Sequence, residues 1–304
     1  MSSDSVEQEA GRAVTRAVDG SIIRADAVPY HKYEPHRAGL PNLKVYFKDL
    51  WERKEFAVAN SRAGMRAANT MTFFGQAWLV INPLLLALVY FMLVTVLQRK
   101  GYQPSLLAHI TGGIFVFYYF QGAVLQGASS VTGAGKMVVN TSFPRLLLPM
   151  TSVRTALFRF LPTIPVYFIF HITAGNPFTW ATFIVAPIFL ALLTLFTFGL
   201  AALFSTAQVY FRDTSSFLPY IMRIWLYVSP VLWTVDLIDR YPVMKALIPF
   251  NPLYSLIGGY NQVLQEGVVP SLDLWLMAIG WSVVSVAAGS FFFLSREREF
   301  AVRL

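Results

Sequence analysis

Long runs without a charged side chain constrain this chain more than any other feature. Residues 67–98 contain none, 101–135 only His109, 176–211 none, 214–235 only Arg223 and 274–295 none. A helix that crosses a bilayer needs about 20 apolar residues, and each run is long enough. A sixth stretch, 151–173, carries Arg154 and Arg159 near its start and is apolar beyond them. Backbone polar groups in lipid must pair within their own segment, so the runs read as helices. The alternation of a membrane barrel is missing. The expectation is an all-α membrane protein with six transmembrane helices at 72–97, 107–131, 151–173, 178–207, 216–236 and 273–294. Composition agrees: 13% of residues are charged, where a soluble domain carries about 25%.

The basic residues orient these spans. Of the 24 Lys and Arg, 11 precede Ala67, four lie in 132–159, two are Arg212 and Arg223, and three close the chain. By the positive-inside rule these segments face the cytoplasm, which places both termini there. Arg99, Lys100, Arg240 and Lys245 fall outside and are balanced by Asp236, Asp239, Glu266 and Asp273, so the net charge of +8 sits on the cytoplasmic side. That side suits anionic membrane lipids. No nucleic-acid-binding signature accompanies the charge, so nucleic acid is not an expected partner.

The rest of the chain divides into three parts. Residues 1–42 are polar, hold Pro29, Pro35 and Pro41, and read as a flexible cytoplasmic tail. In 43–62, Leu43, Phe47, Leu50, Trp51, Ala57 and Val58 recur at helical spacing with charges between them, an amphipathic helix for the membrane surface or for a soluble partner. The transmembrane domain is 63–304. Within it, 246–265 is apolar but interrupted by Pro249, Pro252, Gly258 and Gly259. Two half-helices that enter and return are expected there, before the last span.

Catalytic and nucleotide-binding constellations are missing. Gly133–Lys136 superficially resembles a phosphate loop, but that loop needs a Gly where this chain has Ser130 and a Ser or Thr where it has Met137. No paired His, HExxH or GxSxG occurs, and the chain has no Cys. No Asp or Glu sits well inside a span, as cation-coupled carriers generally require. The chain is read as not an enzyme, with no catalytic, metal or cofactor site of its own.

Aromatic residues are the remaining signal. Phe117, Tyr118, Tyr119 and Phe120 cluster in the second span, Trp225 and Tyr227 in the fifth, and Tyr254 and Tyr260 in the interrupted segment. Such rings serve as interface belts or as weak, repeated contacts along a sugar-conducting duct. Arg66, Arg159 and Arg223 stand near the cytoplasmic ends of spans. They either snorkel to the headgroups or hold an anionic headgroup through their forked donors.

Four segments taken in order resemble one family. They are Gly75-x-x-Trp78 with Pro83; Phe143-Pro144-Arg145 with Leu148-Pro149; Phe211-Arg212-Asp213 ahead of Ser229-Pro230; and Asn251-Pro252-Leu253. From residue 43 onward the chain resembles the permease subunits of ABC-2 type polysaccharide and polyol-phosphate exporters, which carry O-antigen, teichoic acid or galactan. The resemblance implies a homodimer joined to two ABC ATPase subunits, which bind the ATP and Mg. It implies export of a lipid-linked polysaccharide across the plasma (inner) membrane through a duct lined by Phe117, Tyr118, Tyr119, Trp225, Tyr227, Tyr254 and Tyr260. Coupling to the ATPase falls to Gly135, Lys136, Met137, Val138, Val139, Asn140, Phe143, Pro144 and Arg145, and headgroup contact to Arg66, Arg159 and Arg223. The Ala- and Arg-rich tail leans toward a galactan exporter of the actinobacterial kind. An ABC-2 exporter of small molecules and a membrane-embedded glycosyl- or acyltransferase are the alternatives. An aliphatic duct would favour the first and a polar catalytic set the second.

Overall fold

A computed structural model describes residues 15–16, 22–23, 42–67, 74–98, 101–234 and 247–304. Residues 38–304 form one compact unit and 1–37 another. In the smaller unit, Thr15–Arg16 and Ile22–Ile23 pair as a two-residue antiparallel ladder. The larger unit is all α, as expected for a membrane protein of this class. Two amphipathic helices come first, α1 (Leu43–Glu52) and α2 (Lys54–Ala67). The single expected helix is broken at Arg53, which leaves helical geometry with φ −96° and ψ 14°.

Three helices match expected spans closely: α3 (Trp78–Gln98), α4 (Pro104–Ala128) and α8 (Trp180–Tyr210). The third span is a pair, α6 (Leu147–Phe160) and α7 (Thr163–Thr173), bent by 43° between them. Pro162 in the linker removes a backbone donor, which accounts for the bend. Between α4 and α6 lies a short helix, α5 (Gly135–Asn140). The last span is α11 (Leu272–Arg296), followed by one 3-10 turn (Glu297–Glu299) and a final turn of helix (Phe300–Arg303).

Two expectations are corrected. The segment 216–236 yields α9 (Thr214–Val228), a 15-residue helix that is about 22 Å long, short of the hydrocarbon thickness of about 30 Å. Ser229 stops it in extended geometry, φ −94° and ψ 155°, because the residue before a proline is pushed out of the α region. By length and apolar character the described residues hold four spanning helices, or five when α6–α7 counts as one. In the interrupted segment there is one 3-10 turn (Ile248–Phe250) and one continuous helix, α10 (Pro252–Glu266). Gly258 and Gly259 do not break α10, because they are close-approach sites. A Cβ on Gly259 would lie 2.4 Å from the Phe189 ring of α8.

Packing follows membrane logic, in which lipid is as apolar as Leu and helices associate through small residues and interhelical hydrogen bonds. α8 sits at the centre. Against α11, a Cβ on Gly289 would fall 1.9 Å from the Gly199 carbonyl oxygen, and one on Gly199 would fall 2.2 Å from Ser285. Ser285 Oγ donates to the Phe196 carbonyl at 2.8 Å, and Ser282 Oγ to that of Leu192 at 2.9 Å. Against α4, a Cβ on Gly127 would fall 2.5 Å from that of Ala201. At the other end of α8, Gly267 caps α10 at φ +66° and its carbonyl accepts from Thr179 Oγ1 at 2.7 Å, where Thr179 and Thr182 form a capping box.

Gly289→Val should therefore force α8 and α11 apart, where overpacking costs about 1–3 kcal/mol or more. Gly280→Val on the open side of α11, with nothing within 4 Å of its Cβ position, should be neutral. Size-exclusion profiles and melting temperatures of the detergent-extracted variants would separate the two.

Candidate functional site: a clamped platform and a polar face on the spans

At one end of the bundle, α5 packs into a small apolar core of its own. Val131, Val138, Leu146, Leu148, Ala202, Val209, Phe293 and Phe300 are buried together, with Tyr46, Leu50, Met137 and Phe143 against them. This core joins α1, α5, the start of α6, the ends of α8 and α11 and the terminal turns. Polar links reinforce it. The Arg145 backbone N–H donates to Glu297 Oε1 at 2.7 Å, the Arg145 guanidinium donates to the Glu297 carbonyl, and its Nη2 reaches the Val138 carbonyl at 3.4 Å. Tyr46 Oη accepts from the Leu146 N–H at 3.3 Å and bonds the Glu297 carboxyl. Burial, with Glu297 alongside, holds the Tyr46 phenol far above its usual range, so it stays neutral. Arg53 bridges Asp49 at 2.8 Å and donates to the Ser142 carbonyl at 2.8 Å, tying the α1–α2 break to the loop after α5.

The expected coupling residues thus divide. Lys136, Val139 and Asn140 are exposed, and Gly135 and Met137 are partly so. Val138 and Pro144 are buried, Phe143 packs on Phe56 with centroids 5.5 Å apart, and Arg145 is spent on Glu297. Glu297, Tyr46 and Arg53 were not singled out by sequence. Glu297 looked like one charge of a polar tail, and only the fold brings it 152 residues back to Arg145.

The aromatic residues also divide. Phe117 is fully buried, and Tyr119 is buried with its hydroxyl donating to Thr194 Oγ1 at 2.8 Å. Both belong to the chain's own buried core, which removes them from any surface duct. Trp225 is a strut: its Nε1 donates to Asn251 Oδ1 at 2.8 Å, and its ring meets Phe120 edge-on at 5.4 Å. Asn251 in turn donates to the Val228 carbonyl at 3.2 Å and Ser229 Oγ at 3.3 Å, so the Ser-Pro and Asn-Pro-Leu segments lock α9 to α10. Tyr254 is half-buried near the start of α10. Tyr260 lines an apolar cavity of about 170 Å³ with Tyr167, Phe168 and Phe183.

The exposed members gather on one surface. Tyr118 of α4 is 37% exposed, Tyr227 of α9 48%, and Tyr220 of α9 66%. Tyr90 of α3, which sequence reading passed over, meets the Tyr227 hydroxyl at 3.1 Å, with Tyr118 and the exposed Arg223 within electrostatic range. Of the remaining headgroup candidates, Arg159 lines a partly open cavity, while the side chain of Arg66 is outside the described residues. Among the described residues no group of three or more His, Asp or Glu is placed to hold a metal ion.

No protein-family model matches the chain. Its curated relatives include an O-antigen export system permease protein RfbA of Myxococcus xanthus, 26% identical over 84% of this chain and 97% of the relative. Two proteins of the same name from Klebsiella pneumoniae are 28% identical over 64% of this chain and 74% of the relative, and 26% identical over 70% and 80%. The resemblance drawn from the four segments is therefore matched by similarity along most of the chain.

Replacing Glu297 by Ala should loosen the platform by about 1–3 kcal/mol, since buried donors are left without an acceptor. Glu297→Gln, which keeps the acceptor for the Arg145 N–H, should cost less. Limited proteolysis at the 135–142 segment, compared with melting of the whole protein, would read this order.

Proposed function

We propose that this chain is the membrane-spanning subunit of an ATP-driven exporter of the ABC-2 type, working as a homodimer with two separate ATPase subunits to move a lipid-linked polysaccharide out of the cytoplasm. The observation that carries the reading is the shared surface of Tyr90, Tyr118, Tyr220, Arg223 and Tyr227. Phenolic hydroxyls and a guanidinium facing hydrocarbon are costly. A second copy, with water and sugar between the copies, supplies their partners, and ring faces offer sliding contacts to sugar C–H groups. The similarity to O-antigen export permeases supports the substrate class.

The platform supports the coupling role. Lys136, Val139 and Asn140 offer a cytoplasmic surface to an ATPase, while Val138, Phe143, Pro144 and Arg145 anchor that surface from beneath. Because Glu297, Tyr46 and Arg53 tie α5 to α1 and to the end of α11, a push on α5 moves the ends of α8 and α11 with it. ATP and Mg are bound by the ATPase, and both termini lie in the cytoplasm.

Cells depleted of the chain should accumulate lipid-linked glycan on the inner leaflet, and re-expression should clear it; an unchanged glycan pool would sink the proposal. Since no native Cys interferes, one Cys at Asn140 should cross-link to the ATPase and one at Tyr102 should not. Losing one sliding contact is worth about 0.5–1.5 kcal/mol by analogy with aromatic pairs, so Tyr118→Ala or Tyr227→Ala should slow export by about two- to twelvefold. Export at the wild-type rate in the combined Tyr90, Tyr118 and Tyr227 Ala variant would reduce the face to membrane packing.

A further inference from the structure

A cavity of about 200 Å³ opens among α3, α4 and α6. Most of its wall is apolar or aromatic, including Trp78, Phe115, Tyr119 and Phe160, but Asn82, Gln126 and Arg159 also line it. A guanidinium there is unusual, because a charge in this setting requires a counter-ion. Among the described residues no carboxylate pairs with it. Residues 56–212 contain no Asp or Glu at all, so α3, α4, α6, α7, α8 and every connection between them lack a carboxylate, and α2 has only Glu55 in its first turn. Arg159 Nε is buried with no hydrogen-bond partner among the described residues. Arg154 Nη1, one turn earlier on α6, is likewise buried without a partner among the described residues, whereas Arg53 pairs with Asp49, and Arg296 and Arg303 pair with Glu299.

Depth identifies the kind of anion. Gln126 lies two residues before the end of α4, at the platform end of the bundle, and Trp78 begins α3. Thr155 of α6 is hydrogen-bonded at 3.0 Å to Ser61 of the amphipathic helix α2. Arg159 stands one turn further in, about 6 Å by helix rise. That is the level just beneath a headgroup layer, within reach of an arginine side chain.

We propose that this cavity binds the phosphate group of a membrane lipid, with Arg159 as the charged partner, Asn82 and Gln126 as neutral donors, and the apolar wall against the first carbons of the chain. Arginine suits the role because its donors match phosphate oxygens in pairs. Tyr118 both lines the cavity and lies within electrostatic range of Arg223, so the site adjoins the polar face and shares Tyr118 with it. The inference deepens the export reading, and rests on it only for which lipid the site serves. Phosphate chemistry is common to a bilayer phospholipid and a polyprenyl-diphosphate glycan carrier.

The test is lipid retention by the full-length chain in detergent, read by native mass spectrometry after titration with phosphatidylglycerol or with polyprenyl diphosphate. Wild type should retain one lipid per chain, and Arg159→Gln should weaken retention at least fivefold, with Arg159→Lys between them. Preference for polyprenyl diphosphate assigns the site to the carrier, and equal retention assigns it to bilayer phospholipid; either supports the site. Inorganic phosphate at millimolar concentration should not compete. Competition by it would overturn a lipid site in favour of a free-anion site. Should Arg159→Gln not fold, Gln126→Leu with Asn82→Leu is the second variant, expected to weaken retention about threefold. Undiminished retention in a folded variant would overturn the proposal. Because the readout is binding, a chain that binds lipid phosphate but exports nothing would leave this inference standing and remove the export reading.

Discussion

Backbone-close contact between α8 and its neighbours is the condition on which the rest of this structure depends. In water, burying Leu and Phe would drive helices together. In lipid that drive vanishes, and association rests on close packing and interhelical hydrogen bonds. Gly199, Gly289, Gly127 and Ala201 have no room for larger side chains, and Ser282 and Ser285 fix the register by donating across the seam. α8 is thus the post against which α4, α10 and α11 are set. Through it the two ends of the molecule are related, because the same helix carries Thr179 at one end and Val209, a member of the platform core, at the other.

Once α8 and α11 are held together, their ends form a base for the amphipathic helix, α5 and the terminal turns. Glu297 is the keystone there. Its carboxyl and carbonyl both engage Arg145, while Tyr46 approaches from a third direction. A surface helix of six residues is too short to hold its shape alone, and the platform supplies what it lacks. This arrangement ties the segment that follows α5 to α1 and to the turn after α11.

The spans use charge differently on their two flanks. Outside the apolar helices, acids and bases pair locally, as Arg53 does with Asp49 and Arg303 with Glu299. Inside, a stretch of sequence from 56 to 212 has bases and no acid. Arg154 Nη1 and Arg159 Nε there are buried without a hydrogen-bond partner among the described residues, and Arg223 faces the exposed side of α9.

Much of this was legible in the amino-acid order. Uncharged runs located α3, α4, α8 and α11, because the cost of a charge in hydrocarbon is large and local. The amphipathic repeat located α1 and α2, and Ser229-Pro230 and Asn251-Pro252 marked the junction that Asn251 now closes. What the order could not decide depends on partners distant in sequence. Phe117, Tyr118, Tyr119 and Phe120 are equivalent as aromatic letters, but successive helical residues diverge by about 100°. Only the neighbours of α4 decide that Phe117 and Tyr119 are core and Tyr118 is surface. Likewise Gly258 and Gly259 look like breaks until Pro230 and Phe189 lie against them, and Glu297 looks like a solvated tail charge until Arg145 arrives from 152 residues away. Sequence alone determined which segments must avoid water, a property of each residue by itself. The tertiary structure decided which side chains face each other, a property of pairs.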